Sequence, residues 1–459
     1  MAVSVKKIKV GPGALSGKDV VNYLADPQSA GDYYSEDGAA PMNWLATPHA
    51  TTLFALGEKV SRSKLRDLIE GVHPVTGQVI RRAGPDGTMV GGLDVTVSPA
   101  PKSVSILWAL GDNRLRFELE VLVGAAVDVA IGRMLDERRL VRERYGPGPN
   151  DVHHAIAKEY VAAQVMHTTA RLTANDRKVP DPQLHVHNLL IGAVTPTGEL
   201  RAIDSFAVLK YQAELEAEAS GYLAAELQQR GFQLERRLEE RSKGRPRVAW
   251  EIKGVPPSLI QAMSRRSAEI EDLKEQYLKA TGRQPVGPGW DAFVSAQRGQ
   301  KAKLSAPELR VEWQLEAAEH GLDRQAVDAV IADADARRAS GVPKPGPDSP
   351  EAAEFRRLML EYICRDHAFV PIAEMDRLAQ QLAVGLLDPR TAERVVGHMV
   401  RDGDLLVTTD DQVTTLEVRA YEQRARQAAE KLLAAARVHH SLTGCWKKSS
   451  NGGLQMVAL

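Results

Sequence analysis

Pro180-Asp181-Pro182-Gln183-Leu184-His185-Val186-His187-Asn188-Leu189-Leu190-Ile191 sets two histidines two residues apart at the head of an apolar, strand-forming run. In a strand, side chains at i and i+2 share a face, about 7 Å apart along the chain. His185 and His187 therefore converge on one point in front of a sheet. His167 closes a second strand-like run, Tyr160-Val161-Ala162-Ala163-Gln164-Val165-Met166. With that strand beside the first, three imidazoles meet on one surface, and three nitrogens facing one point make a metal site with open coordination positions. A His-x-His pair alone reads more readily as packing or a solvated face. The third histidine and the turn-forming Asp181-Pro182 argue for a site.

Upstream, Met89-Val90-Gly91-Gly92-Leu93-Asp94-Val95-Thr96-Val97-Ser98 reads as another strand whose apolar pattern Asp94 interrupts. A carboxylate in a strand ordinarily faces solvent. Beside three histidines it would instead orient a ring N–H or take a proton. Pro99-Ala100-Pro101-Lys102-Ser103 turns into an apolar helix over 104–110, where Lys102 and Ser103 either meet an anion at free backbone N–H groups or simply cap the helix. Residues 51–75 read as one amphipathic helical stretch. Leu115, Leu119, Leu122, Ala126 and Val129 recur at helical spacing and mark a long core helix, ended by Gly146-Pro147-Gly148-Pro149-Asn150. Downstream of the histidines, Thr195-Pro196-Thr197-Gly198 is a hairpin turn, and Asp204 or Ser205 caps a helix that runs to about Arg230 and stops at Gly231.

Residues 232–252 read as two strands around the basic turn Lys243-Gly244-Arg245-Pro246-Arg247, with Arg236, Arg237 and Arg241 along them. A two-stranded ribbon of this charge fits a DNA groove, although Glu235, Glu239 and Glu240 suit a solvated edge equally well. Residues 282–289 read as a linker, and Arg298, Lys301 and Lys303 as a second basic patch. The Pro/Gly content of 340–350 marks a domain linker. Beyond it, a helix, a short strand at Phe369-Val370, two helices and a hairpin around Asp410-Asp411 follow in the order of a small winged-helix-like domain. A charged helix then runs to about Val438, and 441–459 has no periodicity and reads as a disordered tail.

At 459 residues, with 43% hydrophobic and 26% charged residues, the composition is that of a soluble globular protein of several domains. No run of about 18 or more apolar residues indicates a membrane span, and the first residues lack a signal-peptide layout. Two distant cysteines, Cys364 and Cys445, point to a reducing cytoplasm. A net charge of −1 makes any basic surface a local one. No Gly-rich nucleotide loop of the G-x-x-x-x-G-K-[ST] type is present, so no nucleotide-hydrolysing motor is evident.

The chain resembles the TrwC/TraI-type conjugative relaxases, a branch of the HUH endonucleases. The resemblance rests on Asn22-Tyr23 followed by Asp32-Tyr33-Tyr34, on Leu93-Asp94-Val95-Thr96 with Ala100-Pro101-Lys102-Ser103-Val104-Ser105, and on His167 followed by Asp181-Pro182-Gln183-Leu184-His185-Val186-His187. Ile252 to Ile270 and Pro307 to Trp313 extend it over roughly the first 320 residues. It implies an α+β fold: an antiparallel-sheet HUH palm with helices on one side, followed by a small winged-helix-like helical domain. The expected layout is a relaxase domain over 1–320, a linker over 321–350, the winged-helix-like domain over 351–430 and a helical extension with a tail over 431–459. It further implies that His167, His185 and His187 hold a divalent metal ion, Mg or Mn in use and Ni or Zn in purified samples. Asp94 is the acidic partner, Tyr23 the first catalytic tyrosine, and Tyr33 and Tyr34 the second pair. Lys102, Arg171, Arg236, Arg237, Arg241, Lys243, Arg245 and Arg247 are the expected DNA contacts. The implied activity is nicking and transesterification of single-stranded DNA at a plasmid or integrative-element transfer origin, beside a hairpin or duplex. An accessory DNA-binding protein and a secretion coupling protein are the implied further partners. Two other readings stay open: a rolling-circle replication initiator of the same chemistry, and a truncated, non-catalytic DNA-binding remnant. Tyrosines upstream of the histidines favour the relaxase. Tyr23 is followed by Leu24 where members often carry a second tyrosine, and residues 1–459 carry no helicase motif.

Overall fold

The computed structural model describes residues 2–25, 42–146, 148, 151–173, 179–241, 245–296, 304–366, 369–443, 446–448 and 454–456. They fall into two compact units, 1–346 with 380–389, and 347–379 with 390–459.

The first unit opens with β1 (Ala2–Val10), α1 (Gly17–Leu24), β2 (Met42–Ala46), α2 (Pro48–Leu53), α3 (Arg62–Ile69) and β3 (Met89–Ser98). There follow α4 (Lys102–Leu110), α5 (Asn113–Glu137), β4 (Arg139–Arg144), β5 (Val152–Ile156), β6 (Tyr160–Thr169), β7 (Pro182–Val194) and β8 (Leu200–Arg201). Next come α6 (Ser205–Lys210), α7 (Gln212–Gln229), β9 (Leu234–Arg241) and β10 (Arg245–Ile252). The helices α8 (Pro257–Ala262), α9 (Arg265–Thr281), α10 (Gly287–Ala296), α11 (Ala306–Glu319) and α12 (Arg324–Ala339) complete it.

The central sheet runs β1-β3-β7-β6-β2, with β8 on β7, and every pairing is antiparallel. The fold class is thus the expected mixture of helices and antiparallel sheet. Alternation along the strands sorts the faces. Leu93, Val95, Val97, Leu184, Val186 and Leu190 point into a large core shared with α4, α5 and α7. Val161, Ala163, Val165, Leu189 and Ile191 point the other way, into a smaller core under α1 and α3 that includes Ala50 and Phe54. Helices therefore lie on both faces, not on one. The second face is divided along its strands: beyond Leu189 it is apolar and covered, and towards His185 it is polar.

Several local readings change. The stretch expected as one helix over 51–75 is split into α2 and α3, because Ala55 (φ 46°) and Gly57 (φ 79°) adopt left-handed backbone and turn Phe54 and Leu56 into the small core. The long helix α5 ends at Glu137. Gly146 and Gly148 instead lie between β4 and β5, where Gly148 N–H donates to Asp151 Oδ2 at 2.7 Å and Tyr145 N–H to the Asp151 carbonyl at 3.0 Å. The stretch read as a linker over 282–289 already contains the start of α10, and α12 occupies much of 321–350, its Val327 and Ala334 joining the large core. Arg298, Lys301 and Lys303 lie outside the described residues.

The second unit holds α13 (Pro350–Asp366), β11 (Val370–Pro371), the start of α14 (Ile372–Ala383), most of α15 (Pro389–Asp402), β12 (Leu405–Val407), β13 (Gln412–Thr415) and α16 (Leu416–Thr443). Its three short strands pair antiparallel in the order β11-β13-β12. Where a disordered tail was expected, β14 (Trp446–Lys448) pairs with β15 (Leu454–Met456). The intervening sequence contains Asn451-Gly452-Gly453, a hairpin-turn composition.

Gly231 ends α7 at φ +88°, and a Cβ there would lie 2.0 Å from the Ala334 carbonyl of α12. Backbone strain and overpacking add, so Gly231→Ala is expected to destabilise the chain by at least about 2 kcal/mol. Urea unfolding would read this as a lower midpoint at unchanged slope. An unchanged midpoint would show that α12 does not pack there in solution.

Candidate metal and nucleophile site

The cross-strand register builds the site. His167 on β6 stands directly opposite His185 on β7, and His187 stands opposite Thr96 on β3. Asp94, two residues before Thr96, is the diagonal neighbour of His187 on the same face. Ring centroids are 5.5 Å apart for His167 and His185, 4.6 Å for His167 and His187, and 5.3 Å for His185 and His187. One nitrogen from each ring lies within 4.8 Å of the others.

Each ring also spends one nitrogen as a donor to a fixed oxygen. His187 Nδ1–H donates to Asp94 Oδ1 at 2.9 Å, His185 Nδ1–H to the Gln183 carbonyl at 3.1 Å, and His167 Nε2–H to the Leu24 carbonyl at 3.0 Å. In a neutral imidazole the other nitrogen then carries the lone pair. Thr96 Oγ1 lies 3.1 Å from His187 Nδ1 and 3.3 Å from Asp94 Oδ1, bracing the pair. Asp94 is thus buried, 5% exposed, against the solvent-facing habit of strand carboxylates.

Burial, with the neighbouring His187 ring second, lowers the His167 pKa to about 4. The same causes, with His167 added, push His185 well below the ordinary histidine value. Both are therefore neutral at pH 7, the form that binds a metal. Nitrogens each about 2.0–2.1 Å from one ion lie at most about 4.2 Å apart, so small ring rotations close this set on a single cation. The donor set fits a divalent ion and leaves coordination positions for a substrate oxygen.

Tyr23, in the last turn of α1, stands edge-on to two of these rings, with centroids 5.8 Å from His187 and 6.4 Å from His167. Its side is open, 37% exposed. Arg171, on the chain just after β6, donates to Tyr23 Oη at 3.1 Å and lies 5.6 Å from the ring centre. Tyr33, Tyr34 and Lys243 lie outside the described residues.

The remaining expected DNA contacts separate. By register, positions 237, 241, 245 and 247 share one face of the β9–β10 ribbon. Arg237 is exposed, and Arg247 reaches Glu216 at 3.6 Å. Arg236 falls on the opposite face and donates to the carbonyls of Val384 and Leu382, both at 2.8 Å. Lys102 donates to the Pro182 carbonyl at 2.9 Å, and burial pulls its pKa down. The charged ends of Arg236 and Lys102 are thus spent on internal carbonyls, which places both in the scaffold. Sequence reading gave no role to Thr96 or to the Gln183 and Leu24 carbonyls. Thr96 had a signal, the period of two from Asp94, whereas a backbone carbonyl has none in sequence.

Residues 17–320 match the family model of the TrwC relaxase. No curated protein matches the chain. Among solved structures, a TrwC complexed with a 27-mer DNA comprising the recognition hairpin and the cleavage site is similar, with a TM-score of 0.51 and 22% identity over 70% of this chain and 99% of that one. A copper-bound conjugative relaxase TrwC with oriT DNA gives 0.52 and 24%, and a metal-bound one 0.51 and 23%, at the same coverage. At these identities the likeness concerns the fold.

The depressed histidines fix a pH dependence. Their unfolded pKa is about 6.5, and His167 falls to about 4 in the fold. Between those values the unfolded chain binds more protons, so stability is complete above about 6.5 and is lost as pH falls towards 4. His167 alone accounts for about 3 kcal/mol of this loss. The urea midpoint of the metal-free chain should fall across that window, and less steeply in His167→Gln. Equal slopes for the two proteins would contradict the assignment.

Proposed function

The chain belongs to the TrwC relaxase family, and from that membership we propose that it is a site- and strand-specific single-strand DNA nickase and transesterase acting at a transfer origin. The observation that carries the proposal is the assembly of three histidines, on one face of the sheet, under the edge of an accessible tyrosine whose hydroxyl meets an arginine. A degenerate, DNA-binding remnant has no need of that constellation. The tyrosine that reaches the histidines precedes them in the chain, the order of relaxases and not of rolling-circle initiators.

A divalent cation held by His167, His185 and His187 would supply a Lewis acid to a non-bridging oxygen of the scissile phosphate. The chain's own groups do the rest. Tyr23 Oη attacks phosphorus, the bond to the 3′ oxygen breaks, and the products are a 5′-phosphotyrosine and a free 3′-hydroxyl. The phenol proton passes to water, and the departing oxygen gains one. A free phenol ionises near pH 10 and is a weak nucleophile at neutrality, so placement matters most: α1 presents the ring edge and Arg171 holds the oxygen. Arg171 also offers a positive charge to the phosphate. One ester replaces another, so the strand is rejoinable without ATP. Asp94 holds His187 in the tautomer that leaves Nε2 free. Tyr33 and Tyr34 are the proposed nucleophiles for a second strand.

DNA beside the nick is proposed to lie on the ribbon face that carries positions 237, 241, 245 and 247, with single strand leading to Tyr23. Residues 1–320 are proposed as the catalytic domain and 351–430 as a winged-helix-like module. Among the described residues no helix is long and apolar enough to cross a membrane. The proposed place of action is the cytoplasm, with an accessory DNA-binding protein and a secretion coupling protein as partners.

Tyr23→Phe keeps the ring and removes only the attacking oxygen. Covalent adduct formation with an origin-derived oligonucleotide and Mn²⁺ should drop by about 100-fold or more, and His185→Ala should behave likewise. Mass spectrometry of the wild-type adduct should place it on Tyr23. An adduct on Tyr33 or Tyr34, with full activity in Tyr23→Phe, would reassign the nucleophile, and no adduct on any origin strand would leave the remnant. Neutralising two ribbon arginines, Arg237→Gln with Arg245→Gln, should lower the slope of log affinity against log salt by about 2. An unchanged slope would mean the ribbon is only a solvated edge.

A further inference from the structure

The five residues before His185 have a backbone accounting of their own. Opposite the single residue Thr168 of β6, β7 carries two, Gln183 and Leu184, because His167 pairs with His185 while Thr169 pairs with Pro182. A bulge of this kind takes carbonyls out of the ladder, and buried carbonyls need other donors. Here five in succession find them, each from a different source. Trp313 Nε1–H of α11 donates to the Pro180 carbonyl at 2.8 Å, and Ala170 N–H to that of Asp181 at 2.8 Å. Lys102 Nζ of α4 donates to the Pro182 carbonyl at 2.9 Å. His185 Nδ1–H itself takes that of Gln183 at 3.1 Å, and Ser98 Oγ–H of β3 that of Leu184 at 3.2 Å.

The carbonyl that fixes the His185 tautomer is thus the fourth of a row whose first and third members are held by side chains from distant helices. The row is also anchored by charge. The Asp181 carboxylate accepts the Arg265 backbone N–H at 2.8 Å and its guanidinium, which also pairs with Glu316 of α11. Burying a lysine is costly unless its donors are used. Lys102 meets that cost at one peptide carbonyl, beside Asp181 and Glu251.

We infer that Lys102 and Trp313 are positioning residues for His185: by holding the Pro182 and Pro180 carbonyls they orient the bulged backbone so that the Gln183 carbonyl receives Nδ1–H and Nε2 is left as the ligand. The inference rests on the proposed role of His185 as a metal ligand. It makes the helices beyond the ribbon part of the site, although they supply no ligand to it. Removing either donor frees a peptide plane next to the bulge, and His185 then samples the other tautomer and other ring angles.

The test is a Co²⁺ titration of the metal-free full-length chain, following the visible absorption of the bound ion, in wild type, Lys102→Met and Trp313→Phe. Both substitutions keep most of the packing volume and delete the donor. Affinity should weaken by about 10-fold or more, the absorption bands should change shape, and excess metal should restore nicking. Trp313→Phe carries the test if Lys102→Met does not fold. Variants that fold and bind Co²⁺ with wild-type affinity and spectrum overturn the inference and leave the metal reading standing. A wild-type chain that takes up no Co²⁺ removes the metal reading and this inference with it.

Discussion

The pairing of β6 with β7 is the constraint on which the rest of the molecule depends. Antiparallel register puts His167 across from His185, and the period of two then brings His187 to the same face. A slip of one residue would send both β7 histidines into the core under α4 and α5 and bring Val186 out. The apolar half of the same face prevents that slip. Leu189 and Ile191 share parity with the histidines and are buried under α1 and α3, while Leu184, Val186 and Leu190 are buried on the opposite side. Register is thus fixed by burial on both faces at once, and the polar site takes its precision from hydrophobic packing a few residues further along the strand.

Burial of the rings acts in the same direction as the register. His167 and His185 are kept neutral by burial and by the neighbouring His187 ring, so protons compete weakly for their lone pairs at neutral pH. The fold gives up stability at acid pH to keep these rings unprotonated at neutral pH. The paired carboxylate is placed on one ring only. Asp94 meets His187, and backbone carbonyls serve the other two. That division limits negative charge at a site proposed to receive a phosphate, while still fixing each tautomer.

The strands that bear the site were legible in sequence because they combine strong alternation with chemistry-bearing side chains. β3, β6 and β7 fall where their residues suggested, and so does the β9–β10 ribbon. The two edge strands were not legible. β1 alternates, but Lys6 and Lys7 dilute its pattern, as suits an edge that must not pair further, and β2 is five residues long. Asp94 was legible as an anomaly but not as a buried group, because only the neighbouring strand reveals its partner. Lys102 and Arg236 look like DNA contacts in sequence for a general reason: charge is visible there, and the carbonyl that absorbs it is not. The bulge at Gln183-Leu184 has no composition signal at all, since it exists only relative to β6.

The carbonyl of Leu24 receives the ring proton of His167, and Leu24 follows Tyr23 directly in α1. A proposed metal ligand and the proposed nucleophile are therefore joined by one hydrogen bond and one peptide unit, while Glu70 of the chain after α3 ties the other end of the helix through Gly17 N–H at 3.0 Å. Thermal displacement of α1 carries the tyrosine and pulls on the imidazole together. A helix tethered in this way keeps the tyrosine and the imidazole in one frame, which is the alignment that the proposed in-line attack requires.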